Sequence, residues 1–131
     1  MGCTTVKLSE IRKILDARVV VGEDKLDLEI KTAFSADLMS DVLAFARAGC
    51  LLITGLSNPQ AVRTAYALDI AAICVCRGKT LSAKFIEIAR ELKIPILVTD
   101  YIMFETSGRL FREGMTGCIR EVAIEEKSRA Q

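Results

Sequence analysis

The sequence predicts an α/β protein, a three-layer α/β/α arrangement around a mainly parallel sheet of repeated strand–helix units, with further strands near the N-terminus. Three observations carry this. Between Cys50 and Asp100, three short apolar runs (CLLITG, AAICVC and IPILVTD) are each followed by a stretch with helical periodicity. Strands in such runs lack alternation, as expected where both faces of a parallel sheet are covered. Hydrophobic residues make up 51% of the chain and aromatics only 5%, so the core must be built from Ile, Leu, Val and Ala. Finally, 131 residues suit one domain over 1–131, with the polar end from Glu125 to Gln131 expected to fray.

Taken in order, Leu8, Ile11 and Leu15 recur at helical spacing, with Ser9 as a candidate cap. Arg18–Val21 is β-branched and ends at Gly22, which predicts a strand. Leu28–Phe34 alternates, as a half-buried strand does, and is a candidate partner for 18–21. Met39, Val42, Leu43 and Ala46 give an amphipathic helix. Ser35 and Asp37 are its candidate caps, Asp37 and Asp41 are acids suited to its start, and Gly49 is placed to end it. Leu51–Thr54 is the first central strand. Asn58-Pro59 then opens a helix: Asn supplies a cap, and proline fits where its missing N–H needs no partner. Ala71–Cys76 is the second central strand. The next helix carries Leu81, Phe85, Ile88, Ala89 and Leu92 on one face, and Thr80 or Ser82 can cap it. Ile94–Val98 is the third strand, with Pro95 tolerable near its start. A last helix is capped by Thr99 or Asp100, aligns Phe104, Gly108 and Phe111, and ends at Gly114. Cys118–Ile124 fits a strand or a short helix equally well.

Strand–helix–strand crossovers are right-handed, so the three central strands run parallel and their C-terminal ends share one edge, where ligands of such sheets bind. The loops there supply Gly55, Ser57 and Asn58; Arg77, Gly78, Lys79 and Thr80; and Thr99 and Asp100. Each loop leads into a helix N-terminus, which favours an anion, and Arg77 and Lys79 add positive charge. These nine residues are the candidate site for a small anionic ligand, although the polar ones among them also suit ordinary helix caps.

Catalysis finds little support. The chain has no histidine, the commonest general base and metal ligand. Gly78-Lys79-Thr80 resembles the end of a phosphate-binding loop, but Ile73 stands where its first glycine belongs; there is no GxGxxG run either. Neither a catalytic set, a metal nor a cofactor is expected. The 18 basic and 17 acidic residues leave a net charge of +1, which argues against nucleic-acid binding and permits self-association. No apolar stretch reaches the ~18 residues of a membrane helix. No secretory signal is visible, since Lys7, Glu10, Arg12 and Lys13 interrupt the start, and Val6 departs from a myristoylation signal. The odd set of five cysteines reads as reduced thiols of a cytoplasmic protein, with Cys74 and Cys76 in the core and Cys3 and Cys118 outside the strands.

The run from Met39 through Phe111 resembles the DRTGG domain family, in LLITG, in RGK after the second strand, and in AxELxIPILVT. It is also distantly similar to the N-terminal domain of HPr kinase/phosphorylase, and the N-terminal part looks like that of stand-alone DRTGG members. The resemblance implies a compact α/β/α domain that senses or scaffolds, often dimerises, and is not known for catalysis. The chain departs from the family pattern after the first strand, where Gly-Asp-Arg becomes Gly55-Leu56-Ser57, and after the second, where paired glycines become Arg77-Gly78. A site here has to use Ser57, Asn58, Arg77 and Lys79 instead.

The expected function is thus a non-catalytic regulatory or ligand-binding module, a homodimer with an anion or nucleotide site at the strand ends. Two alternatives are a small enzyme using the cleft beyond Cys76, and an assembly or accessory subunit of a redox or phosphotransfer enzyme that uses an exposed Cys3 or Cys118.

Overall fold

A computed structural model describes residues 5–118. Its elements are β1 (Val6–Lys7), α1 (Leu8–Ile14), β2 (Arg18–Val21), a 3-10 turn (Glu23–Lys25), β3 (Glu29–Ile30), β4 (Thr32–Ser35), α2 (Met39–Phe45), β5 (Leu51–Thr54), α3 (Pro59–Ala67), β6 (Ala72–Val75), α4 (Ala83–Glu91), β7 (Ile96–Val98), α5 (Met103–Arg112) and β8 (Thr116–Gly117).

The main sheet has the order β2-β7-β6-β5-β4-β8, and β1 and β3 form a small separate antiparallel pair. All pairings in the main sheet are parallel except that of β2 with β7. The three central strands, β5, β6 and β7, are buried along their whole length, as their unbroken apolar runs require. Successive side chains point to opposite faces, so each strand feeds two cores. Leu52, Ile73, Val75, Ile96 and Val98 pack beneath α2, α3 and α4, with Phe85 the largest buried side chain there. Leu51, Ile53, Cys74 and Leu97 pack on the other side against Leu8, Ile11 and Leu15 of α1 and Leu110 of α5. Helices on both faces of a mainly parallel sheet give the three-layer α/β/α architecture.

Several local expectations are corrected. The segments 18–21 and 28–34 do not pair. Arg18 lies opposite Val98 in β2–β7, whereas 28–34 divides into β3, which joins β1, and β4, which joins β5. Ile30 thus belongs to one sheet and Thr32–Ser35 to another. β7 starts at Ile96, after Pro95, whose carbonyl still accepts from Ile73 N–H at 3.0 Å. Asn58 and Ser82 cap their helices as expected, accepting from Ala61 and Phe85. Ser9, by contrast, lies inside α1, whose first turn is closed by Glu10 accepting from Lys7 N–H. Thr80, Ser35, Asp37, Thr99 and Asp100 cap nothing; α2 and α5 start at Leu38 and Ile102 with no side-chain cap. α2 ends at Ala46, before Gly49, while Gly114 terminates α5 as expected, at φ +103°.

Two corrections bear on function. α5 turns Met103, Thr106 and Leu110 inward, so that Phe104 and Phe111 point to solvent at 83% and 68% exposure. Cys118 is buried, not exposed; its sulfur accepts from Arg47 N–H at 3.0 Å. Cys3, the segment 119–124 and the tail lie outside the described residues.

Candidate functional site

The C-terminal ends of β4, β5, β6 and β7 share one edge, and the loops that leave them converge on Gly55. Asp37, just past β4, accepts from Gly55 N–H at 2.6 Å and from the Thr54 hydroxyl at 3.1 Å. Thr54 Oγ1 in turn accepts from Leu56 N–H at 3.1 Å. From the β6 loop, the Lys79 ammonium donates to the Gly55 carbonyl. Arg77 lays its guanidinium beside the same glycine: a Cβ on Gly55 would stand 3.2 Å from Arg77 Nη2 and 3.4 Å from both Asp37 oxygens. A side chain at Gly55 would crowd the arginine tip, so the glycine lets an acid and two bases gather closely around one peptide.

The β6 loop is held by the β7 loop. Arg77 N–H donates to Tyr101 O at 2.9 Å, and Gly78 N–H to Thr99 O at 2.8 Å. Gly78 sits against the Asp100 carboxylate so closely that a side chain there would force Asp100 aside. Thr99 is buried and serves structure, donating to Leu15 O at 2.7 Å and accepting from Tyr101 N–H at 3.3 Å. Tyr101 is held from above by the Arg109 guanidinium, 4.1 Å from its ring centre.

Of the nine residues expected at this edge, Gly55, Arg77, Gly78, Lys79, Thr99 and Asp100 are thus brought into one network. Asn58 remains a cap, and Ser57 and Thr80 lie on the loops without joining the network among the described residues. Asp37 is the residue that sequence reasoning assigned elsewhere. Its place two residues past the strand neighbouring β5 was the available signal, but it required knowing that β4 lies beside β5.

The backbone adds a mark of its own. Arg77 has φ +68° and Gly78 φ +59°. Among the described residues three other non-glycine residues have positive φ, but Asp16, Asp69 and Lys93 each directly follow a helix C-cap, a position where the left-handed conformation is common. Arg77 instead follows a strand. The conformation suits the glycine pair of the resembling family, and a left-handed arginine costs about 1 kcal/mol or more there.

Beneath the loops, the Cys74 thiol donates to Cys76 on the same strand face. This hydrogen bond and burial hold Cys74 well above its usual range. Receiving the bond pulls Cys76 down to about 7, against the opposing effect of burial. Across the sheet, burial and then the neighbouring Cys118 push Cys50 well up. From an unfolded value of 9.0, the Cys76 contribution to stability is fully present above pH 9 and lost as pH falls toward 7. Those of Cys50 and Cys74 are present below pH 9 and lost above it. Thermal melts in reductant are therefore expected to show stability rising from pH 7 to 9 and falling beyond. Cys76→Ala should flatten the rising limb; an unchanged slope in that variant would contradict the assignment.

A cavity of about 690 Å3 opens at the opposite edge, lined by residues that include Val20, Gly22, Lys25, Arg90 and Lys93. Lys25 there donates to the Lys93 carbonyl at 2.9 Å, beyond the end of α4. The carbonyl end of a helix disfavours an anion, so the cations of this cavity are better read as complementing the dipole of α4. Among the described residues, no cluster of acids and cysteines has metal-binding geometry, and no helix is long and apolar enough to cross a membrane.

The fold is similar to that of the CBS and DRTGG domains of the regulatory region of Clostridium perfringens pyrophosphatase, solved with its activator, diadenosine tetraphosphate. The TM-score is 0.65 at 22% sequence identity, over 77% of this chain and 44% of that one. The present chain thus spans less than half the length of that regulatory fragment. Comparison with curated proteins gives no match. The DRTGG domain model matches residues 10–112, most of the strand–helix repeat included, and the chain belongs to the DRTGG domain family.

Proposed function

We propose that this chain is a non-catalytic regulatory module of the cytoplasm, a single domain over 1–131 that acts as a homodimer and binds an anionic ligand of the nucleotide class at the edge around Gly55. The observation that carries the reading is Arg77, held in a left-handed conformation beside a glycine that leaves room for its guanidinium. Strain of this kind is kept where the side chain has a task. Lys79 reaches the same glycine, and the loop from Gly55 leads into the N-terminus of α3; such groups suit phosphate oxygens. The nucleotide class is supported by family membership and by the structural neighbour, whose regulatory region was solved with a dinucleoside polyphosphate activator. Four of the five cysteines are buried, which weighs against a contact with a redox partner through Cys118.

Arg77→Gly separates ligand binding from folding. It removes the charge and relieves the backbone, so the variant is expected to be about 1 kcal/mol more stable than the native protein. It should also lose most of the thermal stabilisation that ATP, AMP, diadenosine tetraphosphate or inorganic phosphate confers. At ~100-fold excess over Kd, that stabilisation amounts to about 2.7 kcal/mol, or roughly 8 °C for a domain of this size. A native protein whose melting temperature none of the four compounds moves, or an Arg77→Gly variant that responds equally, would sink the ligand site.

A further inference from the structure

The outer face of α5 is the most conspicuous unexplained surface of the molecule. The chain has only five phenylalanines, yet two of them, Phe104 and Phe111, stand on one helix two turns apart and expose 83% and 68% of their surface. Ile102, at the start of the same helix, is 57% exposed. Gly108 lies between the two rings with nothing within 4 Å of where its Cβ would be. The two phenylalanines, Ser107, Gly108 and Arg112 enclose a notch of about 420 Å3 floored by that glycine. A glycine in mid-helix is less favourable than alanine and fills no space in this monomer. Its effect is to let another surface approach the helix closely.

From this geometry we infer that the face is a two-fold interface between copies of this chain, with α5 packed antiparallel to α5 of its partner across Gly108. This rests on the homodimer proposed above and adds the surface that forms it. The sequence of the face is self-complementary. Phe104 and Phe111 are equidistant from a point between Ser107 and Gly108, so a two-fold axis there sets Phe104 of one copy beside Phe111 of the other. Each ring enters the notch floored by the facing glycine, the reciprocal contact that a two-fold interface requires. The flanking charges agree with this register: the antiparallel arrangement brings Glu105 of one copy, which pairs with Arg109 at 2.8 Å within its own chain, toward basic Arg112 of the other. Arg112 is placed to make that contact: among the described residues its ion pair is with Glu113, at 3.9 Å, and its side chain is 71% exposed. A helix of ten residues is ~15 Å long, short of the ~800 Å2 per partner of a standard interface, so the dimer is expected to dissociate on dilution through the micromolar range.

Sedimentation or light scattering on the native chain from ~1 to ~300 µM should show the mass doubling from 14.4 kDa with concentration. Gly108→Glu is the decisive variant, because its side chain meets open space in the monomer and a glycine-free helix folds at least as well. It should remain monomeric throughout, as should Phe104→Ser combined with Phe111→Ser. Glu105→Arg and Arg112→Glu should each weaken association at least fivefold, and the double exchange should restore it. A native chain that stays monomeric at ~300 µM overturns both the homodimer and this interface, whatever else the face then binds. A dimer that survives Gly108→Glu overturns the interface alone and leaves the homodimer standing.

Discussion

Gly22→Ala is expected to destabilise the protein by about 3 kcal/mol and to lower its melting temperature by roughly 10 °C. Two effects combine. Gly22 has φ +93°, where an L-residue is strained, and an added Cβ would stand 2.9 Å from both the Cα and the Cβ of Pro95. Backbone and a proline ring cannot yield as a flexible side chain can. Gly49 isolates the first effect: it has φ +83° but open space around its Cβ position. Gly49→Ala should therefore cost only the backbone strain, about 1 kcal/mol. Equal losses in the two variants, measured by denaturant unfolding, would show that the packing of Gly22 on Pro95 contributes nothing.

Asp37→Ala should cost about 2 kcal/mol, because the N–H of buried Gly55 and the hydroxyl of buried Thr54 both lose their acceptor. Asp37→Asn keeps a carbonyl oxygen in place and should cost less than half as much. The more informative consequence concerns the ligand edge. With the carboxylate gone, the Gly55 N–H faces Arg77 and Lys79 with no internal anion, and inorganic phosphate should stabilise Asp37→Ala more than the native protein. If phosphate affects both alike, the Gly55 N–H is not part of an anion site.

How much of this was legible in the sequence varies with the range of the interaction. The three central strands could be read because burial on both faces leaves an unbroken apolar run, and Asn58 and Ser82 because a cap and its helix are three residues apart. The partner of β2 could not be read, because nothing in Arg18–Val21 points to Ile96–Val98. α5 shows a third kind of limit. Its periodicity reveals two apolar stripes, Met103–Thr106–Leu110 and Phe104–Gly108–Phe111, and only the packed structure shows which one meets the sheet. At the candidate site, the loops and their glycines followed from the strand ends. Asp37 did not, because an acid that reaches across to the next strand is written like one that caps the next helix.

The pairing of β2 with β7 also sets an order of events. The Thr99 hydroxyl that fastens the end of α1 acts on Leu15, 84 positions earlier, and the partners of β2 lie nearly as far along the chain. During synthesis, β2 is therefore expected to have no strand partner until the third central strand has emerged. The three parallel strands β4, β5 and β6 can assemble meanwhile by crossovers between sequence neighbours, whose loop closures are short. A chain stopped before Ile96 is expected to leave the amides of β2 unprotected from hydrogen exchange while those of β5 are protected, and protection of both would refute this order. The N-terminal segment is in this sense the last piece to dock, and the completed edge of the sheet records that nearly the whole domain has been made.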